Sequence, residues 1–172
     1  MRKQFVIAIF LLIGSLANAQ IRIPGTSVVF ALPTNEWKYM QTTEVDRNTT
    51  LYLYAYVAHT VVDSYGDTTL PFLRIYVTKN YSKSVFDLVY ARYLQQPYQT
   101  LDDYLDGLPS DGIGYIGAYK NPVDQINYKF RMIYFKDRST AIEMRAETTL
   151  DTFDDFDLMF KKILDSTKIE KK

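Results

Sequence analysis

Cysteine is absent from the chain. That absence removes a disulfide framework, a thiol nucleophile, a Cys-based zinc site and a lipid-anchoring cysteine together. Histidine is almost missing as well: His59 is the only one, so no multi-histidine metal site can form. Excess charge of either sign is missing, with 20 Lys+Arg against 20 Asp+Glu. Nucleic acid and anionic membrane are therefore disfavoured as main partners, since both select Lys/Arg-rich chains. Internal repeats and low-complexity linkers are lacking too, which leaves one domain as the expected organisation.

One apolar run is present, and it lies at the start. MRKQFVIAIFLLIGSLANAQ places Arg2 and Lys3 before the apolar residues 5–13, with Ala17-Asn18-Ala19 following. This order of charge, apolar run and small-x-small site is that of a cleaved export signal. The run is shorter than the roughly 20 residues that span a bilayer. The expectation is removal of residues 1–19 and a single exported α+β domain over 20–172, periplasmic or extracellular and without a lipid anchor. Losing Arg2 and Lys3 leaves 18 basic against 20 acidic side chains, a net of −2.

Tyrosine is abundant, with 15 Tyr beside 10 Phe. Residues 50–62, TLYLYAYVAHTVV, alternate Leu51, Leu53, Ala55 and Val57 against Tyr52, Tyr54 and Tyr56. That period of two marks a strand. The turn cluster at 63–68 and the strand pattern at 70–79 complete a long-looped hairpin. A short strand is expected at 27–33, followed by a turn carrying Trp37 as an anchor. Ser84 with Asp87 forms a capping box for a helix over 85–96. Thr100 with Asp103 repeats the pattern and predicts a short helix through Leu105, closed by Gly107 and Pro109.

Three extended runs follow: IGYIGAYK, QINYKFRMIYF and TAIEMRAETT. A turn at Lys136-Asp137-Arg138 would pair Phe130 with Met144, Met132 with Ile142 and Arg131 with Glu143. The segment 151–168 reads as a closing helix, with Phe153, Phe156, Phe160, Ile163 and Leu164 forming one apolar stripe. Its acidic start, capped by Thr152, suits the helix dipole and lacks the spacing of a calcium loop.

Gly112, Gly114 and Gly117 reproduce the G-x-G-x-x-G spacing of a dinucleotide turn. A loop precedes them and Pro122 follows, so neither the buried strand nor the phosphate-binding helix of that motif is available. The glycines are read as close-packing positions in a strand, and no cofactor is expected. His59 lacks a G-x-S-x-G partner, and Glu143 and Glu147 are read as ion pairs with Arg131 and Lys129.

FALPTNEWK (30–38) and FDLMFKKILDSTK (156–168) resemble the opening strand-Pro-Trp element and the closing helix of the PsbP-like group, which includes periplasmic DcrB-like proteins. The resemblance implies an antiparallel sheet sandwiched by helices and an accessory or binding role. The expected function is a non-enzymatic envelope binder acting on a protein or envelope component through an aromatic sheet face. Tyr52, Tyr54, Tyr56 and His59 are its candidate contact residues. A small hydrolase using His59 or a carboxylate pair, and a carrier of an apolar ligand, are the alternatives.

Overall fold

The computed structural model describes residues 20–58, 60–66, 68–95, 100–105 and 108–170. In chain order the elements are β1 (Gln20–Arg22), β2 (Val28–Ala31), β3 (Trp37–Glu44), β4 (Thr49–Tyr56), β5 (Val61–Val62), β6 (Thr68–Thr69) and β7 (Phe72–Thr78). There follow α1 (Val85–Gln95), β8 (Thr100–Tyr104), β9 (Ile113–Lys120), β10 (Asn127–Asp137), β11 (Thr140–Thr149), α2 (Phe153–Asp165) and β12 (Lys168–Ile169).

Seven strands form one antiparallel sheet in the order β3-β4-β7-β11-β10-β9-β8. A small sheet, β1-β2-β12, and a two-stranded ribbon, β5-β6, complete the strands. Helix α2 packs on β10, β11 and β2, whereas α1 packs on β9 and β10. The alternation of each strand divides the core accordingly. Leu73, Ile75, Val77, Ile133, Phe135, Ile142 and Met144 meet Phe153, Phe160, Ile163 and Leu164 of α2 on one face. Tyr115, Phe130, Met132, Tyr134 and Ala141 meet Leu88 of α1 on the other. An α+β fold with a helix on each face of an antiparallel sheet is the architecture expected from the sequence.

Helix α1 starts where the capping box placed it. The Asp87 amide donates to Ser84 Oγ at 3.1 Å, and the Ser84 amide donates to Asp87 Oδ2 at 2.9 Å. At α2 the stripe is buried as expected, but Thr152 makes no side-chain cap and its hydroxyl lies 2.7 Å from that of Thr149.

Three expectations are corrected. Trp37 opens a strand, not a turn: β3 pairs with β4 along its length, with a register shift between Tyr39 and Gln41. The segment from Thr100 is strand β8, not a helix, because pairing along β9 overrides a local capping signal; Gly107 lies outside the described residues. The β10–β11 register differs by three residues. The strands run on to Asp137 and restart at Thr140, with Arg138 at φ 57° completing a two-residue turn. Phe130 therefore faces Glu147, Met132 faces Arg145 and Tyr134 faces Glu143. An odd shift moves a side chain to the opposite face of a sheet. Arg131 accordingly turns toward α2, where it grips Asp157 with Nη2 2.7 Å from Oδ1.

Candidate functional site

The corrected register gathers charge on the α1 face. Along β11, Glu143, Arg145 and Glu147 point there, while Ile142, Met144 and Ala146 point toward α2. On the flanking strands the register sets Tyr76, Arg74 and Phe72 of β7 beside them, and Tyr134, Met132 and Phe130 of β10 on the other side. One strand further out, β4 contributes Leu51, Leu53 and Ala55.

At the centre the charges are removed from water. Glu147 is 0% exposed, Arg145 2% and Glu143 4%. Arg74 Nη1 lies 2.5 Å from Glu147 Oε1, and Arg145 Nε lies 3.1 Å from Oε2. The Tyr119 hydroxyl donates to Glu147 Oε2 at 3.1 Å. Arg92 reaches down from α1 and donates from Nε to Glu143 Oε2 at 3.1 Å, with its guanidinium over the Tyr76 ring. Arg74 lies over Phe72 and Arg145 over Tyr119 in the same manner.

Burial and pairing set opposing tendencies here. Burial raises the Glu143 carboxyl above its ordinary value, against the pull of Arg145 and Arg92. Burial also disfavours the charge on Arg145, yet Glu147, Tyr119 and Glu143 hold it well above its ordinary value. Burial, then the charge on Glu147, pushes the Tyr119 phenol upward. Buried charge is thus held as a floor in which each carboxylate lies against guanidinium groups.

Above and beside that floor the face is partly open. Leu51, Leu53, Phe72, Arg74 and Tyr76 are all partly exposed, forming an aliphatic, aromatic and cationic strip between α1 and the β3 edge. Tyrosine and arginine are enriched among residues that carry protein–protein binding energy.

The tyrosine row lies elsewhere. Tyr54 and Tyr56 are each 8% exposed and belong to the α2-side core, with Tyr52 partly buried against it. Tyr54 meets Phe30 edge-on at 5.7 Å, and Tyr56 lies 5.7 Å from Trp37 and 5.8 Å from Phe156. The Tyr56 hydroxyl is satisfied by Glu36 Oε2 at 3.0 Å. On the α1 side β4 offers Leu51 and Leu53, whereas on the α2 side Tyr54 and Tyr56 are buried and Tyr52 is partly exposed. His59 lies outside the described residues.

Gly114 and Gly117 of the glycine motif sit in β9, Gly112 lies just before it, and the next element is strand β10, not a helix. A Cβ on Gly114 would come within 2.9 Å of both Leu108 Cδ1 and the Met132 carbonyl, so the glycine admits a close approach. Glu143 and Glu147 do form ion pairs, but with Arg92, Arg74 and Arg145 in place of Arg131 and Lys129. Only the register separates the two sets of partners. A separate cleft of about 450 Å³ with a mixed lining lies at the far end of the sheet, formed by Asp63, Tyr65, Lys120, Ile126, Leu150 and Asp151 among others. Asp151 there accepts the Ser64 amide at 2.6 Å. Among the described residues no group of three or more potential metal ligands is found, and no helix is long and apolar enough to cross a membrane.

No protein-family model matches the chain, and no curated protein matches it. The likeness to the PsbP-like group thus remains a resemblance of element order and short motifs. Among solved structures, the chain is similar to LpqN of Mycobacterium tuberculosis, described as involved in cell envelope biogenesis. The TM-score is 0.55 at 9% identity, over 89% of this chain and 90% of that one. At that identity the likeness concerns the fold.

Proposed function

We propose that this chain is an exported, non-enzymatic accessory protein of the cell envelope that holds an envelope protein on the open part of its α1-side sheet face. The observation that carries the reading is the strip of Leu51, Leu53, Phe72, Arg74 and Tyr76, partly exposed over a floor of buried ion pairs. Side chains on adjacent strands of a braced sheet lose little freedom on binding, so more of their contact energy survives as affinity. The export signal expected over residues 1–19 supports the compartment, and the involvement of LpqN in envelope biogenesis supports the setting by analogy. The clamping of Glu143 and Glu147 by arginines speaks against a carboxylate-pair hydrolase.

The test is affinity capture from the native envelope with residues 20–172 as bait, comparing the wild type with Leu53→Ser/Tyr76→Ala. The reading expects a specific protein to be retained by the wild type and lost from the variant, while both melt cooperatively. Equal retention by a folded variant would move the binding surface elsewhere.

A further inference from the structure

Helix α1 is apolar on two sides. Leu88 is buried against the sheet and Val85 and Val89 pack beside it, yet Phe86, Tyr90, Tyr93 and Leu94 project outward, at 68%, 57%, 45% and 65% exposure. Their spacing of i, i+4, i+7 and i+8 aligns them in one stripe along the helix. Among the described residues the α1-side core is filled from this helix by Leu88, with Val85 and Val89 packed against it. A contiguous exposed apolar stripe on a folded protein marks a contact surface.

The neighbouring charges indicate what covers it. Lys83 stands just before the helix, and Lys136 donates from Nζ to the Lys83 carbonyl at 2.8 Å while lying over the Tyr81 ring. The Tyr81 amide donates to the Ser139 carbonyl at 2.8 Å, which brings Arg138 to the same end, and Lys79 follows directly on β7. Among the described residues none of these four cations is ion-paired. Of the nearby carboxylates Asp137 is buried and accepts the Ser27 amide, whereas Asp87 and Asp46 are exposed and held locally, Asp87 by the amide and hydroxyl of Ser84 and Asp46 by the amides of Asn48 and Thr49. Four cations thus outnumber the exposed carboxylates Asp87 and Asp46 at an end that adjoins an aromatic and aliphatic helix stripe. The balanced charge of the whole chain conceals this cluster, because the acidic residues Asp124, Asp151, Asp154 and Asp155 lie at the opposite end of the sheet.

We infer that this surface docks on an anionic lipid bilayer, with α1 lying in the interface and the cations beside it meeting lipid phosphates. Basic residues flanking a Phe/Tyr/Leu stripe are the composition that seats a helix at a headgroup boundary. A protein partner on the sheet strip is a separate matter, since that strip uses none of these residues.

The probe is co-sedimentation of residues 20–172 with vesicles of equal parts phosphatidylglycerol and phosphatidylcholine, against vesicles of phosphatidylcholine alone. The inference expects binding to the anionic vesicles, weakened as salt is raised to about 0.5 M, where screening is nearly complete beyond a few ångströms. Lys83→Glu/Arg138→Glu and Phe86→Ser/Tyr90→Ser should each lower partitioning about tenfold or more. Leu158→Ser, an exposed change on α2, should leave it unaltered. All five positions are solvent-facing, and a thermal melt confirms folding of each variant. No binding, equal binding to both vesicle types, or binding indifferent to the two double variants would overturn the inference.

Discussion

Replacing Glu147 by Gln isolates what the buried network does for the fold. Glu147 is fully buried and meets Arg74 at 2.5 Å, Arg145 at 3.1 Å and the Tyr119 hydroxyl at 3.1 Å. The amide keeps the shape and loses the charge, leaving the buried Arg145 guanidinium beside the partly exposed Arg74 without a carboxylate between them. Breaking a buried pair by removing one partner costs about 3–5 kcal/mol. Domain stabilities run about 5–15 kcal/mol, so the loss is a large fraction of the total. With a urea dependence of about 1–3 kcal/mol per molar, the midpoint should fall by about 2 M. Far-ultraviolet circular dichroism and the fluorescence of buried Trp37 both report the transition. The triple variant Arg74→Leu/Arg145→Met/Glu147→Leu should unfold within about 1 kcal/mol of the wild type, because apolar packing then replaces the desolvated charges. A Glu147→Gln loss below about 1 kcal/mol would refute the reading of the network as a desolvated, mutually dependent unit.

Ser at 52, 54 and 56 together should lower the melting temperature sharply or abolish folding, since truncating the buried aromatics Tyr54 and Tyr56 costs about 3–5 kcal/mol each; an unchanged melt would return the tyrosines to the surface. Gly114→Ala should destabilise by about 1–3 kcal/mol, because the Met132 carbonyl at 2.9 Å belongs to the backbone and cannot yield as Leu108 can. A neutral result in chemical denaturation would contradict the close approach. Glu143→Gln should alter the pH dependence of stability. The folded Glu143 carboxyl is raised above 4.5, so the native state holds its proton more tightly than the unfolded chain. That contribution is fully present below about pH 4.5 and is lost as pH rises through the folded value. The wild type should therefore lose stability relative to the variant across that window in urea titrations, and parallel profiles would contradict the assignment.

Much of the fold was legible because local signals agreed with the tertiary ones. The alternation of β4, β7, β9, β10 and β11, the Ser84–Asp87 box and the Phe153-to-Leu164 stripe each specify an element without outside help. Strand β3 was hidden because only Trp37 is buried along it and the irregularity near Met40 breaks its period. Strand β8 was hidden because its pairing with β9 is non-local, whereas its capping pattern is local and misleading.

The site was legible in its residues and not in its arrangement. Glu143 and Glu147 stood out, but their partners depend on a register that a turn of two or three residues decides. Alternation at 51–56 marks two faces without saying which one α2 covers. Leucine reads as more apolar than tyrosine, yet here the tyrosine rings fill the space against Phe30, Trp37 and Phe156. The stripe on α1 was obscured because Leu88 and Val89 read as apolar as Phe86 and Tyr90, and only packing separates the buried from the exposed.

The central claim is that a protein is held on the open α1-side strip, and position-specific photo-crosslinking in the native envelope addresses it most directly. A photoreactive phenylalanine is placed at Leu53 on the strip or at Leu158, which is 64% exposed on α2. The account predicts one discrete crosslinked protein from position 53 and none from position 158. The same product from both positions, or from position 158 alone, would contradict it.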